Sequence, residues 1–321
     1  MKPAFRPAEL IRATAIARRY YIGGESKIRI AEDFAISRFK VARILDDARA
    51  AGIVRIEIAE PTEVDTDLSH QLRTAYGLHQ AIAVVNPGEG GAMHRGLGRI
   101  AAEYLTEILE EDDTLGLACS RTLNAMTLAL DELPRCTVVQ LTGVLPGGVE
   151  ENSVELVRRV ASLARGPAYP IYAPLVVSDP GTADALRAQP QVAGAMQRYG
   201  ELDKAVVAIG SWSPTLSLVR DALSPAEGAA LEREGVQAEV CARTVDVHGT
   251  PTAPELTSRI IAITLEQLRD VPEVVAVAGG AGKAQAIHSV LKTGVVSSLV
   301  TDTTTARTLI EAAGGPGGSV G

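Results

Sequence analysis

The chain has 321 residues, 46% of them apolar, with 31 Lys+Arg against 39 Asp+Glu and a net charge of −8. That apolar fraction argues against disorder, and the length allows one small and one sizeable domain. Cys119, Cys136 and Cys241 show no pair spacing, which argues against a disulfide framework and a cysteine zinc site and fits a reducing cytoplasm. No run of about 18 apolar residues marks a membrane span. The start, MKPAFRPAELIRAT, lacks a secretory apolar core. A cytoplasmic protein is expected.

Pro7 suits the opening of a first helix over residues 10–22, with Ile11, Ala15, Ile16 and Tyr20 turned inward. Residues 26–52, SKIRIAEDFAISRFKVARILDDARAAG, write two helices with a tight turn between them. Ile28, Ala31 and Phe34 offer the apolar face of the first. Ser37 caps the second, and Val41, Ile44, Leu45 and Ala48 recur at helical spacing. Arg38, Lys40 and Arg43 fall on the outer faces. This is a helix-turn-helix pattern, whose second helix enters the major groove. An amphipathic hairpin with a basic outer face would carry the same residues. Residues 53–58 alternate as a strand, which makes the unit winged-helix-like. Residues 1–60 carry 12 Lys+Arg and 8 Asp+Glu, a basic end on an acidic body. Glu60-Pro61 is the expected boundary between domains at 1–58 and 59–321.

Beyond it, helices and short buried strands alternate. A helix over 65–76 is followed by a strand at 81–85, a Gly-rich loop at 88–98 and a helix at 100–109. Strands at 114–118 and 136–141 flank a helix at 122–130. A helix at 154–164, a strand at 171–177 broken by Pro174, short helices at 183–189 and 192–199 and a strand at 205–209 follow. β structure at 239–247, a helix at 255–268, a strand at 274–278, a helix at 283–293, a strand at 298–300 and a helix at 303–312 complete the series; the tail from Gly314 is expected to fray. Such alternation predicts a Rossmann-like, mostly parallel α/β sheet, with ligands bound beyond the carboxyl ends of its strands.

The candidate residues therefore follow strands. Ser120, Arg121 and Thr122 open a helix and form either an anion seat or a plain cap. Gly279-Gly280-Ala281-Gly282-Lys283 sets a lysine at a helix start, where the dipole disfavours it unless an anion is present. Gln140 either offers an amide to a hydroxyl or is an ordinary strand-end residue. Asp246 and His248 either orient a ligand or make a turn. Thr301-Asp302 reads as a cap. The five histidines have no metal-ligand spacing, and no dinucleotide or nucleotide loop is present; no cofactor or metal is expected.

These segments, IAEDFAISRFKVARILDDARAAGIVRIEI, LGLACSRTL, AVVAIGS, AEVCARTVDVHG and VAGGAGKAQAIHSVLKTGVVSSLVTDTTTARTLI, resemble the SorC family of bacterial transcriptional regulators, sugar-binding and DeoR-like. The resemblance spans nearly the whole chain. It implies an N-terminal DNA-binding domain and a C-terminal effector and oligomerisation domain resembling the glucosamine-6-phosphate deaminase and ribose-5-phosphate isomerase fold, binding without turnover. It implies a sugar or sugar-phosphate effector, operator DNA as partner and a homo-oligomer, dimer or tetramer. The family's phosphate-binding region falls on Ser120, Arg121, Thr122 and Lys283, and its sugar contacts fall near Gln140, Glu239 and Asp246. Lys27, Arg38, Phe39, Lys40 and Arg43 would face DNA, with Ser37 as cap; Phe39 would touch a thymine methyl or pack in the core. The sequence departs from the family where Cys119 and Ser120 replace more usual glycines, and where Ala35 stands at the turn. The rival expectation is a sugar-phosphate isomerase or deaminase with an appended helical domain, using Asp246 as base.

Overall fold

The computed structural model describes residues 6–55, 63–145 and 153–314. The chain divides between residues 59 and 60 into two compact units. In the smaller, helices α1 (Pro7–Ala17), α2 (Lys27–Asp33) and α3 (Arg38–Ala50) pack around Ala13, Ile16, Ile30, Val41, Ile44 and Leu45. The first helix starts at Pro7, three residues before the expected bound, and ends in a π-turn, Arg18–Ile22. Ile11 and Ile28, expected inside, are exposed; Ala13 and Ile30 take their places. Arg19 reaches both Glu25 and Asp33 and ties the π-turn to α2. Ser26 and Ser37 cap α2 and α3. Between those helices Ala35 adopts φ +49°, the left-handed region that glycine usually occupies. Ile53 and Val54 pack on the helical core, and residues 53–55 form no strand; residues 56–58 of the expected strand, and the expected boundary at 60–61, lie outside the described residues.

The larger unit is built on a mostly parallel sheet. Its strands are β1 (Val64–Asp65), β2 (Gln80–Val84), β3 (Thr114–Leu117), β4 (Thr137–Gln140), β5 (Ala168–Tyr169) and β6 (Lys204–Val207), with a short antiparallel branch of β7 (Ile209–Ser211), β8 (Ala238–Val240) and β9 (Arg243–Val245), then β10 (Glu273–Val277) and β11 (Ser298–Asp302). The main sheet runs β1-β2-β11-β10-β6-β3-β4-β5. All its neighbours are parallel except β1 on β2. Val138, Val139, Val206, Val207, Val275 and Val300 are buried, as strands covered on both faces require.

From β3 the chain steps outward to β4 and β5; from β6 it steps the other way to β10 and β11. The order therefore reverses between β3 and β6, the switch point where a crevice opens at the carboxyl ends. Only Ala208 separates β6 from β7, so the small sheet rises from the same edge of the crevice.

Several expected elements fall differently. After α4 (Thr66–Tyr76) and β2, helix α5 (Gly91–Ile108) takes in most of the expected Gly-rich loop. Its glycines serve packing: a Cβ on Gly98 would lie 2.7 Å from the Met126 backbone nitrogen in α6 (Arg121–Ala129). Residues 171–177 make only isolated bridges, Val144 with Pro174 and Val176 with Ile260, because Pro174 cannot donate to a ladder. The expected helix over 255–268 is two short helices, Pro254–Ser258 and Leu265–Arg269, joined by buried residues 260–263. Helices Leu218–Ala222 and Pro225–Arg233 carried no sequence expectation. Residues 315–321 lie outside the described residues.

Candidate effector site

A pocket of about 60 Å³ lies in the crevice between β3 and β6. Cys119 and Ser120 reach it from the end of β3, Ile209 and Gly210 from β7, Glu239 from β8 and Lys283 from the segment after β10. Apolar Leu216, Leu218 and Val219 close another wall.

The lysine is placed by its glycines. Gly280 has φ +103°, and its N–H donates to Asp302 Oδ2 (2.7 Å) and Thr305 Oγ1 (3.1 Å). A Cβ on Gly279 would come within 2.6 Å of that same Asp302 oxygen. The turn Ala281–Lys283 then leads into helix Ala284–Leu291. Lys283 Nζ donates to the Ile209 carbonyl at 2.8 Å. Burial pulls its pKa below the usual ammonium range; the nearby Glu239 opposes that shift and Arg121 adds to it.

Glu239 is the matching acid. Its Oε2 accepts the Ala242 N–H at 3.0 Å, and its Oε1 accepts the Ser217 hydroxyl at 3.3 Å. Gly210 makes room for it, since a Cβ there would overlap Glu239 Oε1. Burial pushes the carboxyl's pKa up, against the pull of the Ala242 N–H, Lys283 and Ser217. The β8–β9 turn that supplies Ala242 has Cys241 at φ +48° and Ala242 at φ +63°. Two consecutive left-handed residues are what a two-residue hairpin turn needs, at a strain cost where neither is glycine.

Ser120 caps α6, its Oγ accepting the Leu123 N–H at 3.1 Å, while it also lines the pocket. Thr122 is buried, with Oγ1 2.9 Å from His94 Nδ1. Arg121 turns outward, and its Nη2 donates to the Thr215 carbonyl at 3.3 Å. Neither Arg121 nor Thr122 lines the pocket, and two more expected residues, Gln140 and Asp246, stand outside it. Gln140 is 0% exposed; its amide donates to the Thr142 carbonyl and Ser153 Oγ and accepts the Ile171 N–H, so it ties three segments together inside the core. Asp246 accepts the N–H groups of His248 and Thr250, closing its own turn. These backbone bonds, led by that of Thr250, hold its pKa below the usual carboxylate range.

Sequence reading missed Ser217, His94 and the Ile209 carbonyl. His94 stands in the segment expected as a loop; only a helix there sets it against Thr122. Burial, together with Lys283 and Arg121, keeps its pKa below that of a free imidazole. A roomier groove of about 500 Å³ runs beside β2 between α4 and α5, away from the strand ends at the switch point. Among the described residues, no group of three or more His, Cys, Asp or Glu is placed to hold a metal ion, and no helix is long and apolar enough to cross a membrane.

In the smaller unit, Arg38, Phe39, Lys40 and Arg43 are exposed together on the first turns of α3, and Ser37 Oγ accepts the Lys40 N–H at 3.2 Å. Phe39 is 74% exposed, which removes the core alternative for it. The Arg38 guanidinium lies 5.2 Å from its ring centroid. Lys27, exposed at the start of α2, lies 5.2 Å from the Tyr20 ring centroid.

Residues 60–311 match the family described as "Putative sugar-binding domain". The chain is 30% identical over 304 residues to the deoxyribonucleoside regulator of Bacillus subtilis, covering 92% of this chain and 95% of that protein. It is 28% identical over 300 residues to the transcriptional regulator YjhU of Escherichia coli, covering 91% and 92%. The crystal structure of the full-length sorbitol operon regulator SorC from Klebsiella pneumoniae shares the fold, with a TM-score of 0.73 at 21% identity over 94% of this chain and 99% of that one.

Proposed function

Because this chain belongs to the sugar-binding, SorC-type family of transcriptional regulators, we propose that it is a ligand-responsive regulator of a carbohydrate or polyol catabolic operon. Residues of the smaller unit bind operator DNA. The larger unit binds a sugar or sugar-phosphate in the crevice between β3 and β6, and the active form is a homo-oligomer in the cytoplasm. Relatives named for a deoxyribonucleoside and for sorbitol support a polyhydroxylated effector.

The observation that carries the reading is the pocket at the switch point, where buried Glu239 and half-buried Lys283 stand with Ser120 at the start of α6. A carboxyl and an amine, both withdrawn from water, are strong hydrogen-bond partners for ligand hydroxyls. In the smaller unit, Arg38, Lys40 and Arg43 offer phosphate and guanine contacts, while Lys27 adds charge from α2 and Phe39 presents an apolar surface to a thymine methyl. An isomerase-like scaffold that binds without turnover fits the same crevice. The enzymatic alternative looked to Asp246 as base, and that carboxylate is engaged by its own turn.

A thermal-shift screen of sugars, polyols and their phosphates tests the pocket, since a ligand of the native state raises the melting temperature. At least one compound should stabilise the wild type, and Lys283→Gln should lose the response. A stabilising ligand that acts equally on Lys283→Gln would remove the assignment.

A further inference from the structure

Lys283 differs from the other lysines in what holds its amine. The chain has six lysines. Lys27, Lys40 and Lys292 are exposed. Lys204 Nζ lies 2.6 Å from Asp113 Oδ2, an ion pair that keeps it as an ammonium. Lys283 lines the small pocket at the switch point, and its Nζ meets a neutral acceptor, the Ile209 carbonyl, at 2.8 Å. Among the described residues no carboxylate forms an ion pair with it, although Glu239 lines the same pocket. The two oxygens of Glu239 are turned to the Ala242 N–H and the Ser217 hydroxyl instead. An amine and a carboxyl therefore share a pocket of about 60 Å³ without pairing.

Withdrawal from water acts on the two groups in opposite senses. It makes an ammonium give up its proton more readily and makes a carboxyl keep it, and burial leads the shift at both residues. A neutral amine still donates one N–H to the Ile209 carbonyl and keeps a lone pair. Glu239, 8% exposed, then stands as a proton donor in the same space. A free amine beside an acid is what condensation with an aldehyde or ketone requires. The apolar wall of Leu216, Leu218 and Val219 limits the water that would reverse it.

We infer that Lys283 captures the open-chain carbonyl of a sugar as a reversible imine, with Glu239 as the proton donor in the same pocket. The Lys283 nitrogen bonds to the carbonyl carbon, and the C=O π pair moves to oxygen. The proton released from nitrogen passes to that oxygen, giving a carbinolamine. Glu239 then gives its proton to the carbinolamine hydroxyl, which leaves as water while the nitrogen lone pair closes the C=N bond. The resulting iminium faces the Glu239 carboxylate, and no oxidant or reductant is consumed. The inference rests on the effector reading for the site. It adds that the effector carries an aldehyde or ketone and is held covalently, without turnover.

The test incubates the full-length protein with glycolaldehyde, a hydroxyaldehyde suited to so small a pocket, and separately with D-ribose. Cyanoborohydride is present throughout, because it reduces an imine to a stable secondary amine. Peptide mass mapping then reads each lysine, an adduct adding the mass of the sugar less one oxygen. Lys283 should be labelled at least about ten-fold faster than exposed Lys40 and Lys292. Glu239→Gln should slow labelling of Lys283 about a hundred-fold and leave Lys40 and Lys292 as they were. Labelling of Lys283 no faster than that of Lys40 and Lys292 overturns the inference, as does a Lys283 rate that Glu239→Gln leaves unchanged. In either case, a sugar or polyol that raises the melting temperature of the wild type but not of Lys283→Gln leaves the effector pocket standing and removes the imine alone.

Discussion

A carboxyl withdrawn from water gives up its proton less readily, and Glu239 is held that way while its two oxygens remain hydrogen-bonded. The folded protein therefore keeps this proton above the pH at which the unfolded chain, near the ordinary carboxyl value, releases it. Over that window the unfolded state binds fewer protons than the native state, so stability falls as pH rises. Glu239→Gln retains an acceptor for the Ala242 N–H and has no proton to lose. It is expected to melt at or above the wild-type temperature at neutral pH, with the difference shrinking as pH falls toward the ordinary carboxyl value; melting curves between pH 4 and 8 check this, and a deficit at neutral pH would contradict it. The pocket residues legible in the sequence were those fixed by local order. Ser120 and Lys283 each lie in the segment between a strand and the helix after it, and both line the pocket. Gln140 and Asp246 also follow or flank strands, yet their side chains serve other partners. Gln140 bonds to Ser153 and Ile171, 13 and 31 residues away, and no local pattern announces such a tie. Asp246 was open to both readings, and the turn, which needs only neighbouring N–H groups, claimed it.

At the scale of elements, the short turn between α2 and α3 carries a testable cost. Ala35 sits at φ +49°, where its Cβ is unfavourable and glycine is not. Ala35→Gly should stabilise the smaller unit by about 1 kcal/mol, seen as a higher denaturant midpoint for a probe in residues 6–55; a lower midpoint would show that the turn's shape depends on the alanine. The strands were the most readable elements, because brief apolar runs such as CTVVQL, AVVAI and VVAVA, set between helical segments, fit buried parallel strands. Helix α5 was misread for the opposite reason. Its glycines look like loop residues in one dimension. In three they are contact points, Gly96 against Pro87 and Gly98 against the backbone of α6, and only the packed partner explains them. Residues 171–177, expected as a strand broken at Pro174, carry isolated bridges in place of a ladder.

For the whole molecule, the proposed function links the two units. A ligand changes DNA affinity only if it binds one state of the protein better than another, and the coupling must then act in both directions. The sequence showed the two-part organisation in its charge, basic over residues 1–60 and acidic beyond, and in its change from adjoining helices to alternating strands and helices. It could not show which strands neighbour one another, and hence that the order reverses between β3 and β6, because register and crossover are settled by long-range pairing. The most direct test measures affinity for DNA fragments selected from a random pool by the full-length chain, with and without the compound that most raises its melting temperature. This compound should shift DNA affinity at least five-fold in the wild type and leave Lys283→Gln unmoved. A stabilising compound that leaves wild-type DNA affinity unchanged would contradict it.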